Sequence, residues 1–321
     1  MMKKSPPLDI SPADAPPVDV SPALSAMVFF LLASCLVVWA MILERLWRRQ
    51  PVLPYEPRRQ APWRAGDVLL ILALFVGSFL ASMGLVQLVL DPMAAAPVVA
   101  GAGGETTTMH PVAQLLTEGR WWAVTVCVLS AVVVAPIFEE FLFRVVLLGW
   151  LEGIEIRHRA RLRSLHRVAP LGSIPIVLTA LVFAMMHFRT DQPAMSPRHL
   201  TFVLLGNAVA SLVTLFFGWM WLRLVRGASA ADLGWQKAKL PGDVGLGLLV
   251  ALAVVAPVYA VQLVLYTLVP RYLAVDPVPL FLLALVLGTL YYRTHRVLPA
   301  IMLHMALNTT SLILAWLMLV Q

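Results

Sequence analysis

Apolar stretches of about 20 residues, each long enough to cross a bilayer as a helix, recur along this chain with short polar connections between them. Eight such spans fall near 22–43, 67–90, 121–150, 171–188, 200–225, 243–269, 278–292 and 297–320. The third is long and interrupted by Pro136, and the seventh is short. Polar stretches are confined to the loops and to a Pro-rich N-terminus over residues 1–21, whose composition predicts disorder. The pattern predicts an all-α fold, a polytopic transmembrane helix bundle of about eight spans.

Composition agrees: 60% of residues are hydrophobic and only 13% charged, which is the signature of an integral membrane protein. The formal charge of +7 does not point to nucleic acid, because the basic residues cluster in alternate loops. Arg45, Arg48, Arg49, Arg58, Arg59 and Arg64 follow the first span, and Arg157, Arg159, Arg161, Arg163 and Arg167 the third. Arg226, Lys237 and Lys239 follow the fifth, and Arg293 and Arg296 the seventh. The positive-inside rule puts these loops in the cytoplasm and both termini outside. The implied location is a bacterial inner membrane. Lys3 and Lys4 precede a span too long for a signal-peptide core, so that segment reads as retained. Cys35 and Cys127 both fall in apolar spans and read as small core hydrophobes. Trp121, Trp122, Trp150, Tyr291 and Tyr292 sit near span ends, as interfacial anchors do.

Three spans carry polar groups that lipid would penalise. Glu139, Glu140 and Arg144 lie inside the third, where each charge at a helix centre costs about 2.5–3.5 kcal/mol. Glu140 and Arg144 are spaced i, i+4 and can pair along one helical face. Glu139, about 100° round the helix, has no local partner. Phe183 and His187 share a face in the fourth span, and His304 and Asn308 share one in the last. Taken singly, each histidine reads as a packed core residue. Together the three stripes supply a base, a second base or orienter, and donors for an oxyanion, which is the inventory that peptide hydrolysis needs.

The motif Glu139-Glu140-Phe141-Leu142-Phe143-Arg144, the run Phe183-Ala184-Met185-Met186-His187, and His304 with Asn308 resemble the motifs of the CPBP intramembrane proteases, the CAAX-protease and bacteriocin-processing family. The resemblance covers about 121–188 and 278–312. It implies a core over 121–321, preceded by N-terminal spans and polar loops over 22–120. It also implies that Glu139 activates a water with His187, and that His304 and Asn308 donate to the oxyanion. Glu140 and Arg144 would then support the site as an ion pair, with Phe183 beside them. The implied partners are membrane lipid and a membrane-associated or lipidated protein substrate, with no nucleic acid. No cofactor is required on this reading. A zinc-dependent version would use Glu139, His187 and His304 as ligands, but the chain lacks H-E-x-x-H, and Asn308 is a poor zinc ligand.

The order of spans departs from the family's. Two spans, near 200–225 and 243–269, stand between His187 and His304, where relatives have a short connection. They look like segments that relatives place before the Glu-Glu helix, as if two blocks were exchanged. Depth is a second tension. Glu139 lies toward the cytoplasmic end of the span read here and His187 near the outer end of its own, so they meet only if Pro136 and Pro175 offset the helices. Two rival readings use the same residues: a proton-coupled transporter, whose relays also employ buried Glu, His and Arg, and a non-catalytic membrane scaffold. No repeated pair of broken spans supports the first, and the complete motif set argues against the second.

Overall fold

The computed structural model describes residues 21–56, 60–90, 121–158, 169–188, 197–268 and 277–319. The Pro-rich N-terminus, the segment 91–120, Arg58, Arg59 and the arginines from Arg159 to Arg167 lie outside these residues. Eight main helices run through the described residues, with no strand among them. They are α1 (Pro22–Trp47), α2 (Ala65–Leu90), α3 (Trp121–His158), α4 (Ser173–Met186), α5 (Pro197–Leu224), α6 (Leu240–Leu268), α7 (Pro277–Thr294) and α8 (Val297–Leu319). Seven of them have the length and apolarity to cross a membrane. The exception is α4, whose 14 residues reach about 21 Å against a hydrocarbon core of about 30 Å. The protein is an all-α integral membrane bundle.

At the centre stands α3, touched by α4, α5, α7 and α8; α2 packs along α5, and α1 and α6 close the α8 side. Its side chains Phe138, Phe141, Phe143, Val146 and Leu148 are buried in the main core. Outward faces such as Phe29 and Leu36 stay exposed, as lipid contact requires. Cys35 and Cys127 are buried and free, as expected of small core residues. Tyr291 corrects the anchoring expectation: it is fully buried in protein rather than placed at an interface.

The basic connections gather at one end of the bundle. The Glu56 N–H donates to Arg293 O at 2.9 Å, and the Val297 N–H donates to Gly234 O at 3.1 Å. Glu56 pairs with Lys239 and lies 3.8 Å from Arg296, which itself pairs with the buried Asp243. Burial pushes the Glu56 carboxyl up, but Lys239, Arg296 and Gln236 outweigh it and hold the group below the usual carboxylate range.

Helix α3 is not one regular α-helix. Leu129–Val134 and Phe141–Leu148 wind as π-helix on either side of an α-helical turn, Ala135–Glu140. The Ala135 N–H bonds back five residues to Ser130 O. In that register Ala131 O would accept from Pro136, whose nitrogen carries no hydrogen. The carboxamide of Asn308 supplies the donor instead, Nδ2 to Ala131 O at 2.7 Å. In the second wide stretch, Trp63 Nε1–H donates to Val146 O at 3.0 Å. Single-turn π segments of this kind recur at functional sites, because they re-aim the side chains that follow.

The depth tension resolves through helix length. Helix α3 runs on to His158, and its Glu155 Oε2 accepts from the Gly172 N–H at 2.9 Å at the foot of α4. From Glu155 up to Glu139 is 16 positions and from Gly172 up to His187 is 15, so the two climbs are of nearly equal length. The antiparallel pair therefore brings Glu139 and His187 level. Gly172 is at φ +87, and a Cβ there would stand 2.3 Å from the Tyr292 ring, so only glycine fits this junction.

Candidate active site

Glu139 and Glu140 project from the α-helical turn between the two π segments of α3. Glu140 is fully buried and faces inward between two partners. Its Oε2 lies 3.0 Å from Arg144 Nε, and its Oε1 accepts from His304 Nδ1 at 2.9 Å. The expected Glu140–Arg144 pair is present, and it extends to a histidine on α8 that its spacing alone does not reveal.

Glu139 is partly exposed, and its Oε2 is 3.7 Å from His187 Nε2 and 3.7 Å from His304 Nε2. No hydrogen bond reaches that oxygen among the described residues. A separation of 3.7 Å is too long for a direct bond but leaves room for a bridging water.

The outer partner of each ring shows that its Nδ1 carries a proton. His187 Nδ1 lies 2.8 Å from Phe183 O, a carbonyl that can only accept, so Nδ1 carries the proton. His304 Nδ1 likewise donates to Glu140. In each ring Nε2 is the atom turned to Glu139. His187 sits one residue past the end of α4, at its C-cap. Phe183, fully buried, is the platform between them: its ring centroid is 4.4 Å from that of His187 and 5.9 Å from that of His304, with the Arg144 guanidinium 5.0 Å from it.

Asn308 stands one turn beyond His304 on α8, bound to Ala131 O. The structure thus gathers Glu139, Glu140, Arg144, Phe183, His187 and His304 into one contact network, with Asn308 at its edge. Reading the sequence missed Ala131 O as the asparagine's partner. Pro136 was the available signal, since a proline inside a span orphans a carbonyl. Among the described residues no group of three His, Cys, Asp or Glu side chains is arranged to hold a metal ion.

A carboxylate facing two imidazoles inside a membrane bundle is an arrangement able to hold and activate a water, as an intramembrane hydrolase requires. The chain matches the family described as Rce1-like, type II CAAX prenyl endopeptidase, over residues 120–231 and 224–310, and belongs to that family. The two matched pieces meet in the connection between α5 and α6. No curated protein and no solved structure matches the chain. Members of this family are intramembrane endopeptidases acting on membrane-associated protein substrates.

Proposed function

We propose that this protein cleaves peptide bonds in lipidated or otherwise membrane-associated proteins of the CAAX type, with a water activated by Glu139 and His187. The observation that supports this reading most is the shared 3.7 Å separation of Glu139 Oε2 from both Nε2 atoms. A water bridging these atoms would have a carboxylate to take its proton and imidazoles to orient it. Attack on the scissile carbonyl makes a tetrahedral oxyanion. His304 donates to it through Nε2 as an imidazolium whose charge the Glu140 carboxylate balances. Asn308 carries a second N–H besides the one given to Ala131, and donates it to the same oxygen. The proton held by Glu139 then passes to the leaving amine, and the C–N bond breaks.

The reaction is written without a metal: the chain lacks H-E-x-x-H, and the Asn308 carboxamide suits an oxyanion better than zinc. The setting is a bacterial inner membrane, with the arginine-rich end in the cytoplasm and both termini outside. A proton-coupled transporter would need the same carboxylate, but its loss would leave the set of membrane peptides unchanged. Quantitative comparison of membrane peptides from cells making wild-type or Glu139→Gln protein is the direct test. New peptide termini appear only with wild type; identical peptide sets refute the protease reading.

Asn308 has two jobs on this view, and they separate experimentally. Asn308→Ala orphans Ala131 O, at about 1–3 kcal/mol, and removes an oxyanion donor, at about 10²–10³ in rate. Pro136→Ala returns a backbone N–H to α3 and offers Ala131 O another donor. In the Pro136→Ala background, Asn308→Ala should therefore lose little stability while the rate defect persists. Recovery of the rate together with the stability would reduce Asn308 to a helix clamp.

A further inference from the structure

One cavity lies away from the catalytic groups, on the outer face between α2 and α5. Its volume is about 340 Å³, within the range of small-molecule sites. Leu70, Ile71 and Leu74 of α2 form one wall, and Phe217, Trp221 and Leu224 of α5 the other. Gly218 opens the floor. A Cβ there would come within 3.3 Å of the Phe141 ring and 3.5 Å of Ile71, so the glycine lets both side chains lie flat beneath the groove. Leu70, Phe217 and Leu224 are substantially exposed, so the groove opens sideways, toward lipid in the membrane.

The end of the groove nearest the arginine-rich connections is polar and built. Asp67, 1% exposed, accepts from Trp221 Nε1 at 2.8 Å and from Arg226 Nε at 2.7 Å on one oxygen. Its other oxygen accepts from the Arg64 N–H at 2.7 Å, at the start of α2. The bond from Arg226 uses Nε, so both terminal nitrogens of its guanidinium remain available. Arg64, whose backbone N–H bonds the same Asp67, has an exposed side chain. Two cations and one buried carboxylate leave the rim positive, directly above an apolar trough.

We propose that this groove is a binding site for an anionic diacyl phospholipid of the leaflet at the arginine-rich end. An acyl chain lies between α2 and α5, and the phosphate meets Arg226 and Arg64. The complementarity is in both parts: an apolar wall whose indole N–H, that of Trp221, is already given to Asp67, and a basic rim where a head group sits. A zwitterionic choline head group offers the same phosphate but adds an ammonium that the basic rim repels, so it gains less. The site shares no residue with the catalytic network, so its test does not depend on proteolysis.

The experiment is native mass spectrometry of the purified full chain, titrated with phosphatidylglycerol or with phosphatidylcholine of the same acyl chains. Wild type binds the first phosphatidylglycerol more tightly than phosphatidylcholine, and excess inorganic phosphate does not displace it. Arg64→Gln and Arg226→Gln each lower phosphatidylglycerol affinity by about fivefold, the worth of one basic residue at a membrane surface, and narrow its margin over phosphatidylcholine. Arg226→Lys keeps the preference and guards against a fold defect from exposing Asp67. Val225→Trp, which fills the trough, weakens both lipids. Equal affinity for the two lipids in wild type, or a preference that survives both Gln variants, overturns the assignment. Displacement by an equimolar farnesylated peptide would give the groove to substrate and overturn it as well.

Discussion

Glu139→Gln protein should purify folded and bind substrate, yet cleave it about 10²–10⁴ times more slowly, the range lost with a general base. Glutamine has the same size and shape, so packing is kept. Among the described residues the carboxylate makes no direct bond that the amide would lose: the two facing ring nitrogens are both 3.7 Å away. What disappears is the capacity to accept a proton from water. The loss should appear in kcat with KM little changed, since the missing interaction belongs to the transition state. Single-turnover cleavage in nanodiscs, beside a thermal melt of the same sample, separates chemistry from folding. A folded and fully active Glu139→Gln protein would move the base elsewhere. His187→Ala would then be the next variant to measure, because its Nε2 borders the same point.

How much of this was legible beforehand depends on the kind of interaction. The helices were readable because lipid imposes length and apolarity on every span, and the motif residues because lipid penalises each charge. The pairing of Glu140 with Arg144 followed from their i, i+4 spacing. Its continuation to His304 could not be read, since it joins positions 164 apart through the packing of α3 on α8. The levelling of Glu139 with His187 was hidden for a different reason. Apolarity ends α3 near residue 150, whereas the helix continues through polar residues to His158, where Glu155 fixes the foot of α4. The two helices α5 and α6 that stand between the second and third motifs proved no obstacle to bringing the motif residues together. Both pack on surfaces that leave the contacts of α3 with α4 and α8 intact, so spatial neighbours and not chain order close it.

Arg144→Ala and Glu140→Ala should be the most destabilising single changes in the bundle, by about 3–5 kcal/mol each, because each leaves a buried charge without its counter-ion. Arg144 and Glu140 are 1% and 0% exposed, so water cannot replace the lost partner. The two variants should nevertheless differ in kind. Without Arg144, Glu140 still holds His304 at 2.9 Å, so the protein that does fold should keep its pH–rate profile. Without Glu140, Arg144 is stranded beside Phe183, and His304 loses the acceptor that sets its tautomer. Glu140→Gln separates the two effects, since its carbonyl oxygen can still accept from Nδ1 while the charge is gone. It should recover part of the stability lost in Glu140→Ala and shift the pH–rate profile, because an imidazolium at His304 no longer faces a carboxylate. Thermal melts give the first quantity, and single-turnover rates across pH 5–9 would give the second. An unshifted profile in folded Glu140→Gln protein would confine Glu140 to holding the helix, and an intact melt in Arg144→Ala would show that the pair is not what keeps α3 in place.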